Sequence, residues 1–348
     1  MSDSAPSRPP TMRDVAKAAG VAVSSVSRTL ADPETRKVGA ETRSKILRAA
    51  EELGYSVNLA AANFRRRASG LILMVMPPRH PVIPVVLDVL HGADTVLAEK
   101  GYRMVVSNLA KSQEVNKLTV DLAFGGVPDG ILVVSGSLPQ DRGRSLLRAG
   151  VPTVSALYDL SWTGIPSVVT DDRDSASAVA QRLLAAGHRR FAYLSGPEGN
   201  YHETERFRGV SAAIAGAGLA GTELVRIEGD FSAASGEAAG RALLGQAERP
   251  TAVIACNDTM AIGLMHVLRS GGLRIPQDVS VVGYDGISWG RYVEPALTTV
   301  EIPGFEIGKA GADRLLRLMS GEAAPADAMR QAFPGRYLER ASAAPPGA

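Results

Sequence analysis

Thr11-Met-Arg-Asp-Val-Ala-Lys-Ala-Ala-Gly-Val-Ala-Val-Ser-Ser-Val-Ser-Arg-Thr-Leu30 reads as two short helices joined by a tight turn. Thr11 followed by Asp14 is a capping-box start, in which the threonine oxygen satisfies a free backbone N–H. Met12, Val15, Ala16 and Ala19 recur at helical spacing and turn one stripe inward. Gly20 falls where the first helix must stop in a conformation that tolerates positive φ. Val21 packs, and Val23, Ser24, Ser25, Ser27 and Arg28 then begin a helix whose outer face is small and polar. Such a face fits the major groove of DNA, about 12 Å wide, where bulkier side chains hold a helix off the bases. On this local pattern alone, an ordinary pair of packed helices serves equally well.

The sequence that follows shifts the balance. Residues 40–55 read as a third helix with Ile46, Leu47, Ala50 and Leu53 on its apolar face and Gly54 as its stop. Asn58 to Phe64, the basic run Arg65–Arg67 and a turn at Ser69-Gly70 come next. The whole block resembles the LacI/GalR family of bacterial transcription regulators, whose headpiece begins T-x-x-D-V-A-x-x-A-G-V-x-x-x-x-V-S-R-x-L; the chain meets that pattern from Thr11 to Leu30.

Charge is distributed to match. Residues 1–70 carry 12 lysines and arginines against 7 acidic residues, while the remainder carries 26 against 29. A basic head on a mildly acidic body suits a chain that holds phosphates at one end. The single cysteine, Cys256, makes no internal disulfide, which fits a reducing cytoplasm, and reads as a small buried residue rather than a nucleophile. Residues 1–10, rich in Ser and Pro, have no apolar core of a signal peptide and read as a disordered arm. No apolar run is long enough to span a membrane. Residues 341–348, with Pro-Pro-Gly, read as a disordered tail.

From Leu71 the periodicity changes to short buried strands alternating with helices. One series includes strands at 71–76, 102–107, 130–134 and 152–156 and a helix closing at Leu146–Ala149; a second restarts after Asp171. The fold expected is an all-α helix-turn-helix headpiece (11–57), a hinge helix and linker (58–70) and an α/β core of two lobes with doubly wound parallel sheets, as in periplasmic sugar-binding proteins. The first lobe is expected from 71–170 with 302–330, the second from 171–301 with 331–340. The family resemblance continues through Gly187-His-Arg-Arg190, Ile275-Pro-Gln-Asp-Val-Ser-Val-Val-Gly-Tyr-Asp285 and Pro295-Ala-Leu-Thr-Thr-Val300.

Ligands of such folds bind at the carboxyl ends of strands and between lobes. The resemblance implies effector contacts from Arg206 (a fork of donors), Phe231 (stacking on a ring), Asn257 (donor and acceptor) and Asp285 (acceptor from two hydroxyls). Asp258 reads as a helix cap before a ligand group, and Trp162 and Trp289 as cleft or packing residues alike. His80 and His91 lack metal-ligand spacing, so no metal and no cofactor are expected. The chain departs from the family at His80-Pro-Val-Ile83, where aromatic residues are usual, and at Gly286, where a second acidic residue is usual. Tyr158-Asp159 and Gly164-Ile-Pro-Ser167 are similar to a family subgroup that includes the cytidine repressor. The effector classes implied are a sugar, a sugar acid or a nucleoside.

For DNA, the resemblance places Val23, Ser24 and Arg28 at base edges and Thr11, Ser25, Ser27 and Arg65 at phosphates, although the arginine run also reads as a solvated patch. Asn58 begins the matched hinge helix, where Phe64 stands in place of a leucine that wedges into the minor groove. The implied protein is a cytoplasmic, homodimeric, effector-controlled regulator, a repressor, gripping a pseudo-palindromic double-stranded operator. A periplasmic-type binding protein without DNA function is the alternative. An enzyme is disfavoured, since no G-x-G-x-x-G follows the first strand and no acid–base constellation is present.

Overall fold

Thr11 opens α1 (Met12–Ala19) with a reciprocal cap: its hydroxyl accepts from the Asp14 amide, and the Asp14 carboxylate accepts from the Thr11 amide at 2.8 Å. Gly20 ends the helix at φ 67°, a left-handed conformation free of steric penalty only without a Cβ. The computed structural model describes residues 10–31, 35–55, 68–77, 84–108, 113–322 and 329–347, which divide into compact units at 1–69 and 70–348. In the first unit α1, α2 (Val23–Ala31) and α3 (Ala40–Glu52) close on a small core of Val15, Ala16, Val26, Val38, Ile46, Ala49 and Ala50. Residues 1–9, Asn58, Phe64, the Arg65–Arg67 run and His80–Ile83 lie outside the described residues.

The second unit runs β1 (Leu71–Met76), α4 (Pro84–Glu99), β2 (Arg103–Asn108), α5 (Gln113–Phe124), β3 (Gly130–Val133), a hairpin of β4 (Gln140–Asp141) and β5 (Arg144–Ser145), β6 (Thr153–Leu157) and β7 (Ser167–Thr170). It continues with α6 (Asp172–Ala185), β8 (Arg190–Leu194), α7 (Tyr201–Gly216), β9 (Glu223–Ile227), α8 (Ala233–Leu244), β10 (Ala252–Ala255), α9 (Asp258–Ser270) and β11 (Ser280–Val282). Last come β12 (Thr299–Glu301), α10 (Gly304–Met319), β13 (Arg330–Phe333) and β14 (Arg336–Leu338). The first lobe is built on a six-stranded sheet ordered β13-β7-β6-β3-β1-β2 and the second on a four-stranded sheet ordered β11-β10-β8-β9, with parallel pairing throughout both. β1, β3 and β10 are almost continuously apolar because both faces of a parallel sheet are covered by helices. The chain passes between the lobes after β7, after β12 and after β13, and the antiparallel β12–β14 ladder lies at that crossing.

Three expectations are corrected. Leu146–Ala149 does not close a helix: the β4–β5 hairpin turns through Arg142 and Gly143, both at positive φ, and only a single 3-10 turn, Leu146–Arg148, follows. Residues 331–333 belong to the first lobe, because β13 adds to the β7 edge of its sheet. The tail is ordered at 341–344. There the Val281 amide donates to the Ser342 carbonyl and the Ser342 hydroxyl donates to the Val281 carbonyl, while the Ala344 carbonyl accepts from the buried His188 ring at 2.9 Å. A buried sheet edge needs hydrogen-bond partners wherever in the sequence they come from, a demand that Pro-Pro-Gly composition does not reveal.

The helices of each lobe pack at backbone distance. A Cβ added to Gly308 on α10 would sit 2.1 Å from the Val89 carbonyl oxygen of α4, and one on Gly92 would sit 2.0 Å from the Phe305 carbonyl oxygen. In the second lobe, Gly209 of α7 meets the Arg173 carbonyl of α6 and Gly236 of α8 meets the Met260 carbonyl of α9 in the same way. Gly308→Ala is expected to lower the urea midpoint of unfolding through a loss of about 1–3 kcal/mol, since backbone must move to admit one methyl. Gly216→Ala, at the exposed end of α7 with nothing within 4 Å of the added carbon, is expected to leave the midpoint unchanged or raise it by up to about 1 kcal/mol.

Candidate functional site

Arg206 and His202 stand one turn apart on α7, so both side chains leave the same helix face. They reach a cavity between the lobes that Phe231, Asn257 and Asp285 also line, together with Val85, Val86, Leu157, Tyr158 and Ile302. The four effector candidates read from the sequence are therefore brought to one place. They arrive there from different elements: Phe231 from the loop before α8, Asn257 from the end of β10, and Asp285 from beyond β11. The cavity is narrow, with about 30 Å³ of room for the centres of water-sized spheres. A wider open groove of about 450 Å³ near Pro166 and Met329 gathers no charged side chain among its described residues.

Asp172, the first residue of α6 and wholly buried, organises the polar side of the cavity. One carboxylate oxygen accepts from Arg206 Nε at 2.8 Å; the other meets His202 Nδ1 at 2.7 Å and the Thr170 hydroxyl at 2.8 Å. Arg206 also reaches the Cys256 carbonyl and Asp285 Oδ1, the latter at 3.3 Å, and its guanidinium lies 3.7 Å from the centre of the Tyr284 ring. Burial pushes the Asp172 carboxyl upward, but the Arg206 and His202 charges and hydrogen bonds outweigh it and hold the group below the usual range. Burial likewise opposes the Arg206 charge, and the carboxylates of Asp172 and Asp285 overcome it. Asp285 is raised to about 6, burial prevailing over Arg206, so it is ionised at neutral pH and able to accept from hydroxyls. Burial raises the Cys256 thiol to about 12, consistent with an inert packing residue.

Backbone strain is concentrated at the same place. Among the described residues, the non-glycine positions at positive φ are Arg142, Leu157, Phe231 and Asp285, and the last three line the cavity. Each such conformation costs on the order of 1–3 kcal/mol, and such residues cluster where geometry matters for binding. The Phe231 ring lies on the bare backbone of Gly196, where an added Cβ would come 2.3 Å from the ring. Gly286 explains one departure from the family pattern: its φ is 76° and a Cβ would fall 2.6 Å from the Glu301 Cα of β12, so no acidic side chain fits.

In the headpiece, α2 turns Val26 and Thr29 into the core and leaves Val23, 42% exposed, with Ser24 and Arg28 on the outer face. Ser25 and Ser27 are half-buried beside them. The Thr11 hydroxyl, expected at a phosphate, is engaged with Asp14 as a cap and lies 2.6 Å from its carboxylate.

Comparison with known proteins meets this geometry. Residues 11–58 match the lacI family of bacterial regulatory proteins, and residues 180–343 match a periplasmic binding protein-like domain. The HTH-type transcriptional repressor CytR of Escherichia coli (strain K12) is 31% identical over 312 residues, covering 90% of each chain. The chain belongs to the LacI family of bacterial regulatory proteins. The HTH-type transcriptional regulator CelR of Thermobifida fusca is 33% identical over 323 residues, covering 90% of this chain and 93% of that protein. A crystal structure of the Lac repressor dimer bound to operator and the anti-inducer ONPF superposes with a TM-score of 0.83 at 28% identity, over 96% of this chain and 99% of that one. As a LacI-family member the chain is a DNA-binding transcriptional regulator, and its relatives are regulators rather than enzymes. Among the described residues no helix is long and apolar enough to cross a membrane.

Other assignments change in this LacI-family cleft. Asn257, not Asp258, caps α9: its Oδ1 accepts from the Met260 amide at 2.8 Å, and its Nδ2 donates to the Phe231 carbonyl at 3.0 Å. Asp258 instead lies under the cleft, accepting from the Ile287 amide at 2.8 Å and meeting the Thr299 hydroxyl. Trp162 and Trp289 neither line the cleft nor pack, being 81% and 69% exposed. His202 and Asp172 were not read from the sequence as site residues. The signal for His202 was its spacing from Arg206: a helix that aims one side chain into a cleft aims the one four residues earlier there too.

Asp258 carries a pH prediction. Burial, with Asp285 nearby, raises its carboxyl from 3.8 to about 8. The folded chain thus keeps a proton that the unfolded chain releases near pH 4, and the resulting stability is lost as pH rises through about 8. Asp258→Asn, which copies the protonated form, should flatten the decline in unfolding free energy between about pH 4 and about pH 8, measured by urea titration across that range.

Proposed function

We propose that this chain is a cytoplasmic, homodimeric repressor controlled by a hydroxylated small molecule bound between its lobes. The observation that carries the reading is the convergence of Arg206, Phe231, Asn257 and Asp285, with His202 and Tyr158, on one cavity between two α/β lobes in a chain that also carries a helix-turn-helix. Asp285 accepts from adjacent hydroxyls, Arg206 donates, Phe231 stacks on a ring, and Asn257 holds the Phe231 loop while facing the ligand. A solved CelR complex with cellobiose is in keeping with a ligand from the sugar, sugar acid or nucleoside classes. The effector acts only through its differential affinity for two lobe arrangements, which sets the size of any change in DNA binding.

On DNA, Arg28 is assigned a bidentate contact to guanine, Val23 an apolar contact with a thymine methyl, and Ser24 a weakly selective contact to a base edge. Ser25, Ser27 and Arg65 are assigned to phosphates, Thr11 being committed to the α1 cap, and Asn58 and Phe64 are assigned to the operator contact of the matched hinge segment, with Phe64 as the minor-groove wedge.

The test is selection of genomic fragments by the purified protein at a stated salt concentration, followed by sequencing. A pseudo-palindrome is the expected product; fragments with no common sequence, with or without candidate effectors present, would sink the reading. On the recovered site, Arg28→Ala should relax discrimination at one symmetry-related base position by about 1–3 kcal/mol in fluorescence anisotropy. Asp285→Ala should keep operator affinity and lose the response to effector. In wild type, effector affinity should fall as pH drops below about 6, where Asp285 takes up its proton. Loss of DNA binding in Asp285→Ala would instead assign this carboxylate to the fold.

A further inference from the structure

A second buried carboxylate stands behind the cleft rather than in it. Glu203 lies on α7 between His202 and Arg206, is 1% exposed and is not one of the side chains that line the cavity. The partners it has are donors. Oε1 accepts from Arg226 Nη2 of β9 at 2.8 Å; Oε2 accepts from the Tyr193 hydroxyl of β8 at 3.1 Å and from the Gly196 amide at 2.8 Å. Arg226 reaches it from the surface, with its guanidinium over the Phe207 ring. Gly196 lies beyond the end of β8, and Glu203 supplies the acceptor that its buried amide needs. The same glycine is the floor under Phe231, whose ring edge rests on it. The loop that carries Phe231 presses on this segment too: a Cβ on Gly229 would fall 2.4 Å from the Ser195 carbonyl oxygen.

Resting on the effector reading above, we propose that Glu203 is the positioning residue of the stacking ring. Through the Gly196 amide it sets the height of the floor on which Phe231 lies, while Asn257 holds the Phe231 carbonyl at 3.0 Å. Because Glu203 and Arg206 share one helix, the ring and the guanidinium are referenced to each other. Contact between a ring and whatever it covers falls steeply with distance: a gap of about 0.5–1 Å forfeits about a quarter to a half of the dispersion attraction. An apolar residue in place of Glu203 takes this acceptor from the buried Gly196 amide and Tyr193 hydroxyl, and the loop shifts to satisfy them elsewhere.

The test is aromatic NMR on the full chain, isotope-labelled only in its seven phenylalanines, with the Phe231 signals assigned from Phe231→Tyr. Glu203→Leu, similar in size and unable to accept, is expected to shift and broaden the Phe231 ring signals while those of Phe333 in the first lobe stay in place. Glu203→Gln keeps an acceptor for the Gly196 amide and releases Arg226 to water, so it should restore the wild-type positions. Tyr193→Phe removes a different partner of the same carboxylate and should leave the Phe231 signals where they are. An equal shift in Tyr193→Phe, or none in Glu203→Leu, overturns the proposal. Should Glu203→Leu fail to fold, hydrogen exchange in the wild-type chain decides. The Gly196 amide should exchange far more slowly than the exposed Glu198 and Gly199 of the same loop, and exchange at their rate overturns the hold. Calorimetric titration with cellobiose, ribose and uridine carries the result to binding. A probe that binds should lose affinity severalfold in Glu203→Leu, and lose none through that change once Phe231→Ala is present; an equal loss in both backgrounds assigns Glu203 to the fold alone. Binding of none of the three to a chain whose ring is held counts against the effector reading, not against the placement of the ring.

Discussion

A buried carboxylate, Asp172, holds the cleft together. Asp172 begins α6 immediately after β7 leaves the first-lobe sheet, so its position is set by the point at which the chain crosses between lobes. From there its two oxygens fix Arg206 and His202, and through Arg206 the ring of Tyr284, the Cys256 carbonyl and Asp285. A buried ion pair of this kind adds little net stability over apolar packing, but removing one partner strands the other and costs about 3–5 kcal/mol. Its yield is geometry: both cationic or hydrogen-bonding heads on α7 are aimed before any ligand arrives, and pre-aimed groups lose less freedom on binding.

Rigidity within each lobe and freedom between them follow from the same packing. The glycine contacts that bring α4 to α10, α6 to α7 and α8 to α9 leave no slack for helices to slide. The crossings between lobes are short extended segments and the small β12–β14 ladder. A change of cleft volume is therefore absorbed at the crossings while the lobes keep their shape, as in hinge closure generally. Strain at Leu157, Phe231 and Asp285 lies on the cavity wall itself, so the groups that touch a ligand are held in unusual backbone conformations by the cores behind them.

Much of this was legible in the sequence because it is local. The capping box, the Gly20 stop and the alternation of apolar strands with helices are short-range patterns, and they place the headpiece helices and the buried strands of the first series close to where they lie. The headpiece and cleft motifs carried Arg206, Phe231, Asn257 and Asp285 to one site through family resemblance rather than through spacing. What escaped was non-local. Asp172 joins Arg206 across 34 residues of sequence, His188 joins Ala344 across 156, and β13 enters the first-lobe sheet from beyond α10. No window of sequence contains such pairs. Asp258 misled for a different reason: Asn257 beside it is an equally good cap, and the backbone decides between them, Asn257 being extended (φ −146°, ψ 165°) while Asp258 is already the first helical residue.

The placement of residues 330–344 bears on how the protein is made. β13 completes the edge of the first-lobe sheet, and 341–344 close the β11 edge of the second. On the ribosome, the three-helix unit at the front of the chain has its whole core available after a short length of synthesis. Both lobes, by contrast, wait with an unpaired strand edge until those late residues emerge. The DNA-reading part is thus the first to be finished, and the two halves of the sensing part reach completion nearly together.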